Sequence, residues 1–121
     1  DFILCNYANA DMVGHTGVAP AILKAVETVD ASLARVLVSA EKARAQVVIT
    51  ADHGNCEVMV DPETGGPHTS HTTNPVPLVT VGAGLTPLRG GGALCDVAPT
   101  LLGLLGIDPP AEMTGRDLRK S

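Results

Sequence analysis

The sequence predicts an α/β domain in which a mostly parallel sheet is flanked by helices. Three observations carry this expectation. Short β-branched apolar runs, such as Gln46-Val47-Val48-Ile49, read as strands buried on both faces. Between two such runs, from about Val18 to Arg44, apolar residues recur at intervals of three and four. Aromatic residues make up only 2% of the chain, so Val, Leu, Ile and Ala must fill the interior, which suits a sheet packed under Ala-rich helices. At 121 residues, 45% of them hydrophobic, the chain fits one domain with a modest core, and no internal repeat or domain boundary is visible.

Residues 2–7, with Phe2-Ile3-Leu4-Cys5, are predicted to form a buried strand. The segment Asn9 to Gly17 is polar and Gly-punctuated, as expected beyond a strand's carboxyl end. Within it Asp11 and His15 lie four apart, a spacing that puts two side chains on one face of a helical turn. The helix from Val18 to Arg44 carries Val18, Ile22, Val26, Val29, Leu33, Val36, Leu37 and Ala40 on its apolar stripe, with Pro20 in its first turn. Its charged residues, among them Lys24, Glu27, Arg35 and Lys42, mark a solvated face. The strand at 46–51 completes a β-α-β unit. Its two strands should therefore be parallel with a right-handed crossover, placing the loops after both on one sheet edge. Ligands bind at that edge in open α/β sheets.

Glu57-Val58-Met59-Val60 reads as a short strand and Asp61 to Pro67 as a turn cluster. A further strand, Val76 to Val81, is framed by Pro75 and Pro77. Gly82 to Gly92 is a Gly/Pro-rich loop without the Lys-Ser/Thr of a phosphate-binding P-loop. Asp96 is expected to cap a helix with Pro99 in its first turn. That helix is apolar nearly all round, hence buried, and is stopped by Gly106 and Asp108-Pro109-Pro110. The tail 112–118 is expected to pack back on the domain.

The net charge is −5, and the eight Lys and Arg are scattered without a basic run. This argues against nucleic acid and anionic membranes as partners. The chain shows no apolar stretch of spanning length and no signal-peptide architecture. Cys5, Cys56 and Cys95 are odd in number and form no CxxC, which predicts reduced, buried thiols in a cytoplasmic protein. Cys56 adjoins an Asp-His pair, where a small filler is favoured over a nucleophile. The missing initiator Met reads as a chain that begins inside a longer protein.

Three loops carry Asp11, His15, Asp52, His53, His68 and His71. All four histidines of the chain lie in these loops and none on a helix face. Such a set points to a metal site, and mixed Asp/His ligation points to Zn, Mn or Fe rather than Ca. Metal-assisted chemistry on phosphate esters or amides would suit it.

Around these residues the sequence resembles the cofactor-independent phosphoglycerate mutases, members of the alkaline phosphatase superfamily. The stretches Asn6-Tyr7-Ala8-Asn9-Ala10-Asp11-Met12-Val13-Gly14-His15-Thr16-Gly17, Ile49-Thr50-Ala51-Asp52-His53-Gly54-Asn55 and Pro67-His68-Thr69-Ser70-His71-Thr72-Thr73-Asn74-Pro75-Val76-Pro77 carry the likeness. Asp96-Val97-Ala98-Pro99-Thr100 and Glu112-Met113-Thr114-Gly115 add to it. The resemblance implies a two-metal site, usually Mn²⁺ with Zn²⁺, Co²⁺ or Mg²⁺ as alternatives, that interconverts 2- and 3-phosphoglycerate through a phosphoserine. By position, Asp11, His15 and His71 resemble the ligands of one metal, and Asp52 and His53 those of the other. His68 falls where the family varies and is left out of the ligand set; Ser70 gains no nucleophilic role.

Family members are much longer. The resemblance implies that residues 1–121 are the C-terminal portion of a partial alkaline-phosphatase-like domain, with the nucleophilic Ser and an inserted substrate domain outside this chain. The expectation is an enzyme part that supplies metal ligands and is inactive alone, with unpaired sheet edges that favour self-association. The alternatives are a fragment of a phosphopentomutase or phosphodiesterase of the same superfamily, or a non-catalytic metal-binding module.

Overall fold

A computed structural model describes residues 1–120. Residues 1–7 are extended and enter a short helix, α1 (Asn9–Gly14). Helix α2 (Ala19–Ala43) follows, close to the predicted span, with Pro20 in its first turn, where its missing N–H costs nothing. It ends at Arg44 in the left-handed conformation, φ 54°, whose N–H returns to the Ala40 and Glu41 carbonyls. Of the predicted stripe only Ile22 is buried, with Ala25 beside it; Val29, Leu33 and Leu37 are half-covered, and Val18, Val26 and Val36 are exposed because no further element packs over them.

Strands β1 (Val47–Thr50) and β2 (Leu78–Val81) form the sheet. They are antiparallel, Val47 opposite Val81 and Thr50 opposite Leu78. The expected parallel β-α-β unit is therefore not what the described residues form. β1 pairs with the later β2, and residues 2–7, expected as a buried parallel strand, pair with neither. Phe2, Ile3 and Leu4 are 57, 89 and 83% exposed, since no element covers them. The strand expected at 57–60 is also replaced. Val58 N–H turns back to the Asn55 carbonyl, and only Val60 makes a bridge, to Pro67. Pro75 and Pro77, lacking N–H donors, hold β2 to a start at Leu78.

The turn at 61–67 forms as expected. The Asp61 carboxylate accepts the N–H groups of Glu63 and Thr64 at 2.9 and 2.8 Å and is held below its ordinary pKa by them, Thr64 first. Met59 and His68 pair across it.

Helix α3 (Val97–Leu104) is preceded by a 3₁₀ turn, Leu94–Asp96. Asp96 stands at its start without capping it; the carboxylate instead accepts from Ala93 N and Arg116 N, both at 2.8 Å. These two N–H groups, Arg116 first, hold it below the usual carboxylate range. The α3 leucines are half-exposed rather than buried, and Pro99 and Thr100 form the helix's buried side. The tail packs back over it. Leu118 is 2% exposed, its N–H donates to Thr100 Oγ1 at 3.0 Å, and its carbonyl accepts Arg89 N at 2.7 Å.

All three cysteines are free, as expected, but Cys5 and Cys95 are exposed and only Cys56 is partly buried. The apolar runs around Cys5 and Cys95 do not enter the core. Among the described residues no helix is long and apolar enough to cross a membrane.

Candidate metal centre

α1 sets Asp11 and His15 one turn apart, so both side chains leave the same face. The 61–67 turn delivers His71 to that face from the far side of the chain. His15 Nε2, His71 Nε2 and Asp11 Oδ1 meet in a near-equilateral triangle. His71–Asp11 measures 3.0 Å, His15–His71 3.1 Å and His15–Asp11 3.2 Å.

The ring nitrogens can be assigned from their other partners. His15 Nδ1 lies 2.8 Å from the Thr69 carbonyl oxygen, which can only accept, so Nδ1 carries the proton. In the singly protonated ring, Nε2 is then a bare lone pair facing a carboxylate oxygen. A proton on His71 Nε2 can serve its own contacts with Asp11 and His15, but not the one between His15 and Asp11. Three acceptor atoms this close call for positive charge among them. Donor separations of this size suit one divalent cation held at roughly 2.0–2.2 Å by each. The residues therefore fit a metal.

Asp11 is kept ionised by its neighbours. Its carboxyl lies below the usual range first because Asn55 Nδ2 donates to Oδ1 at 2.8 Å, and then because the imidazoles of His15, His71 and His53 surround it. Asn55 is itself buried, 6% exposed.

Of the second predicted pair, the structure brings one member in. His53 stacks on His71 with centroids 3.6 Å apart and planes 20° from parallel. Asp11, His53 and His71 each offer a ligand atom within 4.8 Å of the others. His53 Nδ1 lies 3.3 Å from the Gly54 carbonyl. Asp52 stands apart. Its side chain is 86% exposed and its Oδ2 is 3.6 Å from His53 Nε2. Both residues line an open cleft of about 720 Å³ that continues to Arg89 and Leu118. His68 is half-buried outside the cluster, its Nδ1 without a hydrogen-bond partner, and Ser70 is exposed.

Sequence reasoning missed Glu57, which it placed at the start of a short strand at 57–60. Its carboxylate accepts the Asn55 N–H at 2.6 Å, the Asn74 amide at 3.0 Å and the Thr72 hydroxyl. The Thr72 hydroxyl first, then its own N–H and the Asn74 and Asn55 donors, lower its pKa from 4.5 to about 2. The signal was present in the polar residues that flank both His motifs, Asn55 and Glu57 on one side and Thr72 and Asn74 on the other. Because the folded pKa is depressed, the stability Glu57 contributes is present above about pH 4.5 and lost as pH falls toward about 2. Glu57→Gln is expected to flatten that part of the pH–stability profile. Urea midpoints of both proteins across this window check it; parallel profiles would contradict it.

A profile of the Metalloenzyme superfamily matches residues 1–109. The chain is 57% identical to a 2,3-bisphosphoglycerate-independent phosphoglycerate mutase of Chloroflexus aggregans, over 98% of this chain and 23% of that protein. It is 58% identical to one of Rhodopirellula baltica, over 100% of this chain and 23% of the relative. A crystal structure of Leishmania mexicana phosphoglycerate mutase, determined at low cobalt concentration, superposes with a TM-score of 0.83 at 34% identity. It covers 96% of this chain and 24% of that one. The chain thus spans about a quarter of the length of the relatives it matches.

Proposed function

From the premise that the chain belongs to the Metalloenzyme superfamily, we propose that it is the metal-binding part of a cofactor-independent phosphoglycerate mutase acting in glycolysis in the cytoplasm. The observation that carries this is the Asp11–His15–His71 triangle, set in a chain 57–58% identical to relatives bearing that name. Asp11, His15 and His71 would hold one divalent ion, and Asp52 and His53 would supply part of a second site. Mn²⁺ is the proposed ion, with Co²⁺, Zn²⁺ and Mg²⁺ as alternatives. Such ions polarise a phosphoryl oxygen and neutralise charge that develops on it.

The chain's own residues do the positioning. The Thr69 carbonyl fixes the His15 tautomer and Asn55 orients the Asp11 carboxylate, so the lone pairs converge before any ligand arrives. The cleft beside Asp52 and His53 provides room for a small phosphorylated acid such as phosphoglycerate. In this reading residues 1–121 are the C-terminal portion of a phosphatase-like domain. In the whole protein that domain has the mostly parallel sheet, and other segments bring the nucleophilic Ser and the residues that clamp substrate.

Purified chain, supplied with Mn²⁺ and 3-phosphoglycerate, is expected to bind the ion without forming 2-phosphoglycerate. Product above blank would overturn the division of labour. Calorimetry is expected to show one moderately bound Mn²⁺; two tightly bound ions would favour a self-standing metal module. The open edges of β1 and β2 and the bare Phe2-Ile3-Leu4 segment further predict concentration-dependent self-association. Light scattering showing a monomer at every concentration would refute that.

A further inference from the structure

We infer that Glu57 is a positioning residue for the metal ligands, acting through Asn55 on Asp11 and through Thr72 and Asn74 on the His71 loop. The inference rests on the metal reading above and names a residue that the ligand set does not contain.

One carboxylate joins three segments. Glu57 Oε2 accepts the backbone N–H of Asn55, and Oε1 accepts the Thr72 hydroxyl and Asn74 Nδ2. Thr72 N–H donates to the Gly54 carbonyl at 2.9 Å, so the His53 and His71 loops are tied by backbone as well. That tie stands one residue from each imidazole of the stacked pair. From the same knot Asn55 reaches α1, where its amide donates to Asp11 Oδ1. With Asn55 N–H held by Glu57, the amide keeps one direction, and Asp11 keeps its remaining lone pairs for the imidazole side.

Although Glu57 is exposed, two backbone positions around the knot leave no space for a side chain. A Cβ at Gly54 would overlap the Glu57 carboxylate and the Thr72 hydroxyl. A Cβ at Gly14 would overlap the Asn55 amide. Both positions are glycine, so α1 and the His53 loop can approach closely enough for these hydrogen bonds. Gly54 makes space for the Glu57 carboxylate, and Gly14 makes space for the Asn55 amide whose N–H that carboxylate holds. Residues that orient metal ligands in this way commonly change affinity by about 10- to 100-fold when removed.

The test is Mn²⁺ titration of the chain and of Glu57→Gln, Thr72→Val and Thr72→Ser, with metal-free melting midpoints measured alongside. Glu57→Gln keeps the shape but cannot accept from all three donors, and it is expected to weaken Mn²⁺ binding by about 10-fold or more. Thr72→Val is expected to weaken it similarly, and Thr72→Ser, which keeps the hydroxyl, to restore it. Should Glu57→Gln fail to fold, the Val and Ser variants at position 72 decide. Unchanged affinity with a lowered melting midpoint makes Glu57 a loop brace and overturns the inference. So does equal affinity for Val and Ser. If the unmodified chain binds no Mn²⁺, the metal reading fails, and this inference falls with it.

Discussion

Asp11→Asn is expected to weaken Mn²⁺ binding by the chain by about 100-fold or more, since losing a ligand costs at least the roughly 10- to 100-fold of losing an orienting partner. Asn fills the same space but loses the charge. It also places an amide nitrogen or a neutral oxygen where Asp11 Oδ1 now lies 3.0 Å from His71 and 3.2 Å from His15. The companion variant is Asp52→Asn. Asp52 is largely exposed and does not join the triangle, so its loss should leave that first ion's affinity within about threefold, as expected of a weakly engaged surface charge. Calorimetric titration of the two variants together gives the comparison. Equal losses would place both carboxylates on one ion and break the proposed division into two sites. No loss from Asp11→Asn would remove the site altogether.

Thr100→Val is expected to destabilise the chain by about 1–3 kcal/mol, the range for stranding a buried polar group. Thr100 is 0% exposed, and its hydroxyl serves two partners. It donates to the Asp96 carbonyl at 2.7 Å and accepts the Leu118 N–H at 3.0 Å. Valine leaves the Leu118 N–H buried with nothing to donate to. Among the described residues Leu118 shares a small buried apolar set with Ile22, Ala25 and Pro99, so the effect falls on a core with little to spare. A urea unfolding curve with a lower midpoint and unchanged slope would confirm it. A change under about half a kcal/mol would show that water reaches the tail and replaces the hydroxyl.

Legibility followed range. α2 could be read because three-and-four periodicity is local, and it was right to within a residue at each end. The residues that meet in the Asp11–His15–His71 triangle could be singled out because every histidine lay in a loop and beside an acid, hydroxyl or glycine. The sheet could not. Antiparallel pairing of β1 with β2 is a contact between distant segments, and nothing in Val47–Thr50 names its partner. The same limit hid Glu57. The apolar run Val58-Met59-Val60 is equally consistent with a strand, and only Thr72, remote in sequence, reveals the Glu57 carboxylate as a hub. Apolar surroundings also misplaced Cys5 and Cys95, because a hydrophobic run predicts burial only if another element arrives to cover it.

His15 and His71 touch although 56 residues separate them in sequence. Any ion gripped by both pins a closed loop of that length, as a cross-link would. Taking that freedom from the unfolded chain is worth on the order of 4 kcal/mol by loop-closure entropy. For a domain with so few buried apolar side chains, that is comparable to the stability its core can supply. The ligand triangle is then also a clasp on the fold, and chelation would be felt as loosening of the whole chain before it was felt as lost chemistry.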